Sequence, residues 1–302
     1  MKSKFLFLLL GVILTLNAQA NLNVVATTPD FGAIAQAIGG DKIDLSTLAK
    51  PTEDPHFVDA KPSYIVKLNH ADVLIEGGAE LESGWLSPLL DGARNAKLES
   101  GKPGVIIGSQ GISLLEVPNT LDRSQGDVHA AGNPHFMSDP ANGKIAAAHI
   151  AEVFSQLDPQ SKETFQANLK SFNDRLDAKM AEWQKLLTPV KGKDVVSYHN
   201  YWAYFAKRFD VRMEIYLEPK PGIPPTPAHL ATVISEMKAK NAKVIVVQPY
   251  QNRKTAETVA SHTGAVVVDF PSFPGGSKET QGYIEWIDSL VKTVATAEEI
   301  KK

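Results

Sequence analysis

The sequence predicts an α/β protein of two doubly wound lobes joined by a long rigid linker helix, on three observations. Short apolar runs rich in β-branched residues alternate with helix-period stretches in each half, the grammar of a mostly parallel sheet covered on both faces. Between the halves, from about residue 143 to 187, no strand-like run occurs and apolar residues recur every three or four positions. The length left after an N-terminal export signal suits one large or two medium domains with ample core. The expected divisions are 1–20 signal peptide, 21–142 first lobe, 143–190 helical linker and 191–302 second lobe.

The elements follow in order. Met1 to Ala20 reads as a secretory signal: Lys2 and Lys4 form a basic start, Phe5 to Leu16 is almost wholly apolar, and Ala18-Gln19-Ala20 fits small-x-small cleavage. The apolar stretch of about 12 residues falls short of the ~20 needed to cross a bilayer, which disfavours the alternative of an uncleaved anchor. Asn23–Thr27 is a first strand, and Pro29-Asp30 opens a helix that Gly39-Gly40 stops. Ile43–Ala49 is a strand leading into a proline-rich loop, Lys61–Asn69 a helix, Val73–Ile75 a buried strand, and Trp85–Leu90 a short helix. Val105–Ile107 and Gly111–Val117 are expected as further strands. In the linker, Phe165, Leu169, Phe172, Leu176, Met180 and Trp183 mark one long helix over roughly 159–187 with no internal Gly or Pro. It reads as a strut between lobes, with a helical hairpin packed on one lobe as the alternative. The second lobe runs strand Asp194–Tyr198, helix Tyr201–Arg208, strand Val211–Tyr216, helix Pro227–Lys240, strand Val244–Val247, helix Ala256–His262, strand Ala265–Val268 and closing helix Tyr283–Thr293.

Composition narrows the function. The chain has no cysteine, so disulfides, thiolate ligands and lipid attachment through a cysteine are excluded. Removing the signal takes away two lysines and no acid, leaving 29 basic against 34 acidic residues, a net charge of −5. No basic stripe is present, which argues against nucleic acid. An exported, unlipidated monomer in a bacterial periplasm is the expectation.

Three histidines and an aspartate stand out: His56 in PTEDPHF, His135 in GNPHF, His199 in VVSYHNYW and Asp269 in AVVVDFP, separated by 64 to 79 residues. Ligands in doubly wound sheets bind beyond the carboxyl ends of the strands, and His56, His199 and Asp269 each lie at or after such an end. His135 precedes the linker helix in a stiff Gly/Asn/Pro loop. Three imidazoles and a carboxylate suit a divalent cation, zinc above all. Each has a plainer alternative, such as a solvated loop histidine for His56 and a turn cap before Pro271 for Asp269, while the stiff presentation of His135 and the strand-end, aromatic setting of His199 favour ligation. His70, His149, His229 and His262 read as structural or solvated. His129 stands in a polar loop, 122–133, where it could capture a metal transiently.

The settings PHF, GNPHF, SYHNYWAYF and VVVDFP resemble the zinc/manganese-family solute-binding proteins of bacterial ABC transporters, the group with a rigid inter-lobe helix. The resemblance covers essentially the whole mature chain. It implies that His56, His135, His199 and Asp269 are the metal ligands, two from each lobe, and that the ion is delivered to a membrane permease. A histidine at the third ligand position, here His199, implies zinc; a carboxylate there implies manganese or iron. Many zinc members carry a long His- and acid-rich loop, which this chain reduces to Asp122, Asp127 and His129, so accessory capture of a second zinc is not expected. Four such ligands would leave the occupied site at +1, to be offset by Glu53, Asp54 or Glu218. Two competing classes remain: a zinc hydrolase, with Asp269 as base, and a binder of metal chelates. Neither HExxH nor G-x-S-x-G occurs, and a chelate has no use for three histidines.

Overall fold

A computed structural model describes residues 20–120, 126 and 129–300. Residues 1–19 of the expected signal segment, together with Asp122 and Asp127, lie outside the described residues. Two sheets form, each of four parallel strands. The first contains β1 (Leu22–Ala26), β2 (Ile43–Thr47), β3 (Val73–Glu76) and β4 (Val105–Ile107) in the order β2-β1-β3-β4. The second contains β5 (Asp194–Ser197), β6 (Arg212–Tyr216), β7 (Val244–Val247) and β8 (Val266–Asp269) in the order β6-β5-β7-β8. The two orders are the same. In each, the chain steps to one side of its first strand and then to the other, which leaves a crevice at the carboxyl end of that strand, where ligands bind in such folds.

Nine α-helices occupy the described residues: α1 Pro29–Gly39, α2 Pro62–His70, α3 Leu86–Ala93, α4 Pro140–Leu157, α5 Lys162–Leu186, α6 Ala203–Phe209, α7 Pro227–Lys240, α8 Arg253–Thr263 and α9 Tyr283–Ile300. Strand alternation sorts the apolar side chains between them. On β1, Val25 faces α2 and α3, whereas Val24 and Ala26 face inward to α1 and α4. On β7, Ile245 and Val247 face α7 and α8, whereas Val244 and Val246 face inward. The inner faces of both sheets thereby share one apolar core, which runs through α1, α4, α5, α6 and α9.

α5 is the axis of that core. Phe165, Phe172, Leu176 and Trp183 are its buried stripe, spaced by seven, four and seven residues, so that they fall on one face. Asn168 donates to the Ile38 carbonyl of α1 at 2.8 Å, and Trp183 Nε1 donates to Asp288 of α9 at 2.9 Å. One helix therefore holds elements of both lobes, as a strut must. α4 begins at Pro140 and is capped by Asp139, which accepts from the Ala141 amide and pairs with Arg208 of α6 through two hydrogen bonds of 2.7 and 2.8 Å.

Residues 111–117 correct an expectation: they form no strand. Ile112, Leu114 and Leu115 pack against the central core. The Leu115 amide donates to the Tyr204 hydroxyl and its carbonyl accepts from Asn133, so the backbone is satisfied without a ladder. β4 is thus the edge of its sheet.

Glu82 is buried and ties the β3 loop to β1, accepting from Thr27 Oγ1 at 2.6 Å and from the Gly77 and Gly78 amides. Burial pushes its carboxyl up to about 7, against the pull of those hydrogen bonds and with a push from nearby Glu76. Its folded pKa thus exceeds the unfolded value of 4.5, so its contribution to stability is complete below that value and is lost as pH rises through about 7. Urea unfolding at about pH 5 and pH 8 should show this loss in the native chain and a flatter profile in Glu82→Gln. Trp183→Ala should cost about 3–5 kcal/mol in the same assay, because it opens the core where α5 meets α9.

Candidate metal centre

His56, His135 and His199 meet where the crevices of the two sheets face each other. One ring nitrogen from each lies within 4.8 Å of the others, and the ring centroids stand 5.0, 5.8 and 5.4 Å apart. They are the one such group of three or more His, Asp or Glu among the described residues.

His56 comes from the loop after β2. Its Nδ1 lies 2.8 Å from Asp54 Oδ1, which also accepts from the His56 amide at 3.0 Å. That loop is pinned by Trp85, whose Nε1 donates to the Pro55 carbonyl at 2.9 Å. Gly84 lies close beneath it: a Cβ added there would meet the His56 carbonyl at 3.3 Å. His199 follows β5 by two residues, and its Nδ1 lies 2.8 Å from Glu218 Oε2 in the loop after β6. In both cases the carboxylate accepts from Nδ1–H, which fixes the tautomer and leaves Nε2 as the lone pair facing inward. Burial acts to raise the Asp54 carboxyl, yet the hydrogen bonds and charge of His56 hold it below the usual carboxylate range. Glu53, expected as a possible partner, instead pairs with Lys50 at 2.6 Å.

His135 is the most enclosed, 5 % exposed, and stacks on Tyr201 with ring centroids 3.9 Å apart. Its Nε2 is buried with no hydrogen-bond partner. An orphaned buried lone pair costs about 1–3 kcal/mol, which an ion in the cleft would remove. Burial first, and then the charge of the surrounding imidazoles, holds His135 well below the ordinary histidine range, so the ring is neutral and ready to ligate. The residues therefore fit a divalent cation.

Asp269 does not join them, which corrects the four-ligand expectation. Its side chain is 81 % exposed and pairs with Arg253 at the start of α8. The reason is the pleat. Val266 and Val268 face the central core and Phe270 is buried there, so Asp269 shares the opposite face with Val267, the face that α8 covers. A charge count follows. A divalent ion with three neutral imidazoles carries +2, and the two carboxylates behind His56 and His199 bring the assembly to neutrality.

Two features escaped sequence reasoning. Tyr201 braces His135, not the neighbouring His199. Glu116 bridges the lobes at the cleft, its Oε2 accepting from Asn133 at 2.9 Å and Asn200 at 2.7 Å. Tyr201 had a signal in its adjacency to His199; Glu116 had none, because its role depends on two residues remote in sequence. The cleft holds a cavity of about 210 Å³ lined by Glu116, His129, Asn133, His135, His199 and Asn200 among others, below the roughly 300–1,000 Å³ of drug-sized ligand sites.

Comparison with known proteins places these features. The family model described as zinc-uptake complex component A, periplasmic, matches residues 24–297. A metal ABC transporter substrate-binding lipoprotein of Streptococcus cristatus is 27 % identical over 278 residues, covering 87 % of this chain and 86 % of its own. A manganese ABC transporter substrate-binding lipoprotein of Streptococcus mitis is 28 % identical, covering 80 % and 77 %. Among solved structures, a crystal structure of ZnuA superposes with a TM-score of 0.78 at 24 % identity over 91 % of this chain and 98 % of its own. The Mn-bound periplasmic metal binding protein of Candidatus Liberibacter asiaticus gives 0.74 at 19 % identity, covering 90 % and 98 %.

Replacing Asp269 by alanine should leave metal affinity within about twofold in a chelator competition. Glu218→Gln should weaken it by about 10–100-fold, the range for loss of a carboxylate behind a ligating histidine.

Proposed function

The chain belongs to the zinc-uptake complex component A family of periplasmic metal-binding proteins, and from that premise we propose that it captures zinc and hands it to an ABC transporter permease. It is the substrate-binding component of a metal ABC transporter. The observation that carries the choice of ion is the donor set: three imidazole nitrogens converge, and the one carboxylate expected with them pairs elsewhere. Imidazole suits zinc, whereas manganese favours oxygen donors. Manganese is the second reading, favoured by relatives whose names carry manganese or iron.

A hydrolase needs a general base beside an open position. Asp54 and Glu218 are engaged with the ligand imidazoles, and Glu116 accepts from two asparagines. A chelate reading needs a wider pocket than the cleft provides. The absence of cysteine supports a periplasmic protein without the lipid anchor that its streptococcal relatives are named for. No helix among the described residues is long and apolar enough to cross a membrane. His56, His135 and His199 are the proposed ligands. Because α5 packs on helices of both lobes, release works through the ligand loops and not through wide opening of a hinge.

Metal analysis of protein purified without chelator, with calorimetric titration of the metal-free form, should give one site that prefers zinc; absence of any metal affinity would end the reading. Zinc affinity should fall as pH drops below about 6.5, where free imidazole protonates. His199→Ala should lower it by more than the 10–100-fold typical of an outer partner. Solution scattering should show nearly the same overall dimensions with and without metal.

A further inference from the structure

Three imidazoles leave a zinc ion one short of its usual four ligands, and another histidine stands beside them. His129 Nε2 lies 3.3 Å from His56 Nε2, with the two rings stacked, centroids 5.3 Å apart. In a tetrahedron with metal–nitrogen bonds of about 2.0–2.1 Å, ligand nitrogens stand about 3.3–3.4 Å apart. The His56–His129 pair already has the length of one tetrahedral edge.

The turn that presents His129 is a built one. The Ala130 amide donates to Glu80 Oε2 at 2.5 Å, the Gly132 amide donates to the His129 carbonyl at 3.1 Å, and the Asn133 amide donates to the Leu115 carbonyl at 2.8 Å. Gly132 has φ +113°, and a Cβ there would meet the Leu115 carbonyl at 2.7 Å, so the turn needs glycine to bring His129 round. His129 lines the same cavity as His135 and His199.

We propose that His129 supplies the fourth ligand to the captured ion, an inference that rests on the zinc reading of the site. Asp54 takes the Nδ1–H of His56, which leaves His56 Nε2 as the ring atom turned toward both the cleft and His129 Nε2. With an ion present, His129 carries its proton on Nδ1 and offers Nε2 to the metal. The nitrogens that all fall within 4.8 Å belong to His56, His135 and His199, so His129 closes by a short inward step of the 129–132 turn.

The test is zinc X-ray absorption on the full mature chain and on His129→Ala, with zinc affinity measured by chelator competition. The expected result is four imidazoles around zinc in the native chain, three in the variant, and at least tenfold weaker binding. The same imidazole count in both proteins, with affinity within twofold, overturns the proposal while leaving the three-histidine site standing. Failure of both proteins to bind zinc overturns the underlying reading as well. Equal thermal midpoints of the two metal-free proteins exclude a folding defect as the cause of any loss.

Discussion

Everything in this molecule depends on one apolar core shared by the inner faces of two parallel sheets. The helices that cover the inner face of the first sheet pack against those that cover the inner face of the second, so separating the lobes would expose that helical layer. α5 threads that core and contributes Phe165, Phe172, Leu176 and Trp183 to it. A joint of this kind fixes the distance between the two crevices. Three imidazoles from remote parts of the chain can therefore wait within ligating reach of one another before any ion arrives.

Preorganisation has an electrostatic cost that the site answers in two ways. His135 is buried beside Tyr201 and is kept neutral by its surroundings. His56 and His199 each face a carboxylate that fixes the tautomer and supplies the counter-charge. Only His135 is driven to the neutral form by its burial, while Asp54 and Glu218 stand behind the other two rings as counter-charge for a cation in the cleft. With Asp269 turned away, the side chains that converge on the cleft are all imidazoles, donors that suit borderline cations better than hard ones.

Much of this was legible in the sequence, and the limits have physical causes. The central strands β1, β3, β5 and β7 were readable because they are almost wholly buried and appear as short apolar runs, whereas β2 and β6 are partly exposed and were readable from alternation and their flanking turns. The helical strut was readable from its spacing. Residues 111–117 misled because half-buried Ile112, Leu114 and Leu115 mimic a strand, while the Leu115 backbone bonds to Tyr204 and Asn133 and the Ile112 amide to Ser109. Asp269 misled for a subtler reason. Its place after a valine run was right, yet its parity with Val267 turns it to the α8 side of the sheet, where it reaches Arg253 in solvent, and that parity was readable in VVVDF. Glu116 was unreadable, since nothing in its neighbourhood announces Asn133 and Asn200.

The identical strand order of the two sheets has one more consequence. Equivalent loops exist in each lobe, but they are used differently. After the first strand, one lobe places Thr27 and Thr28 and the other His199. After the second strand, one places Asp54 with His56 and the other Glu218. The halves are duplicates as frameworks and opposites as donors, so no internal two-fold relates the ligands. Selectivity can therefore be retuned by editing one lobe's loop while its counterpart keeps the grip, a freedom that a symmetric cage would not have.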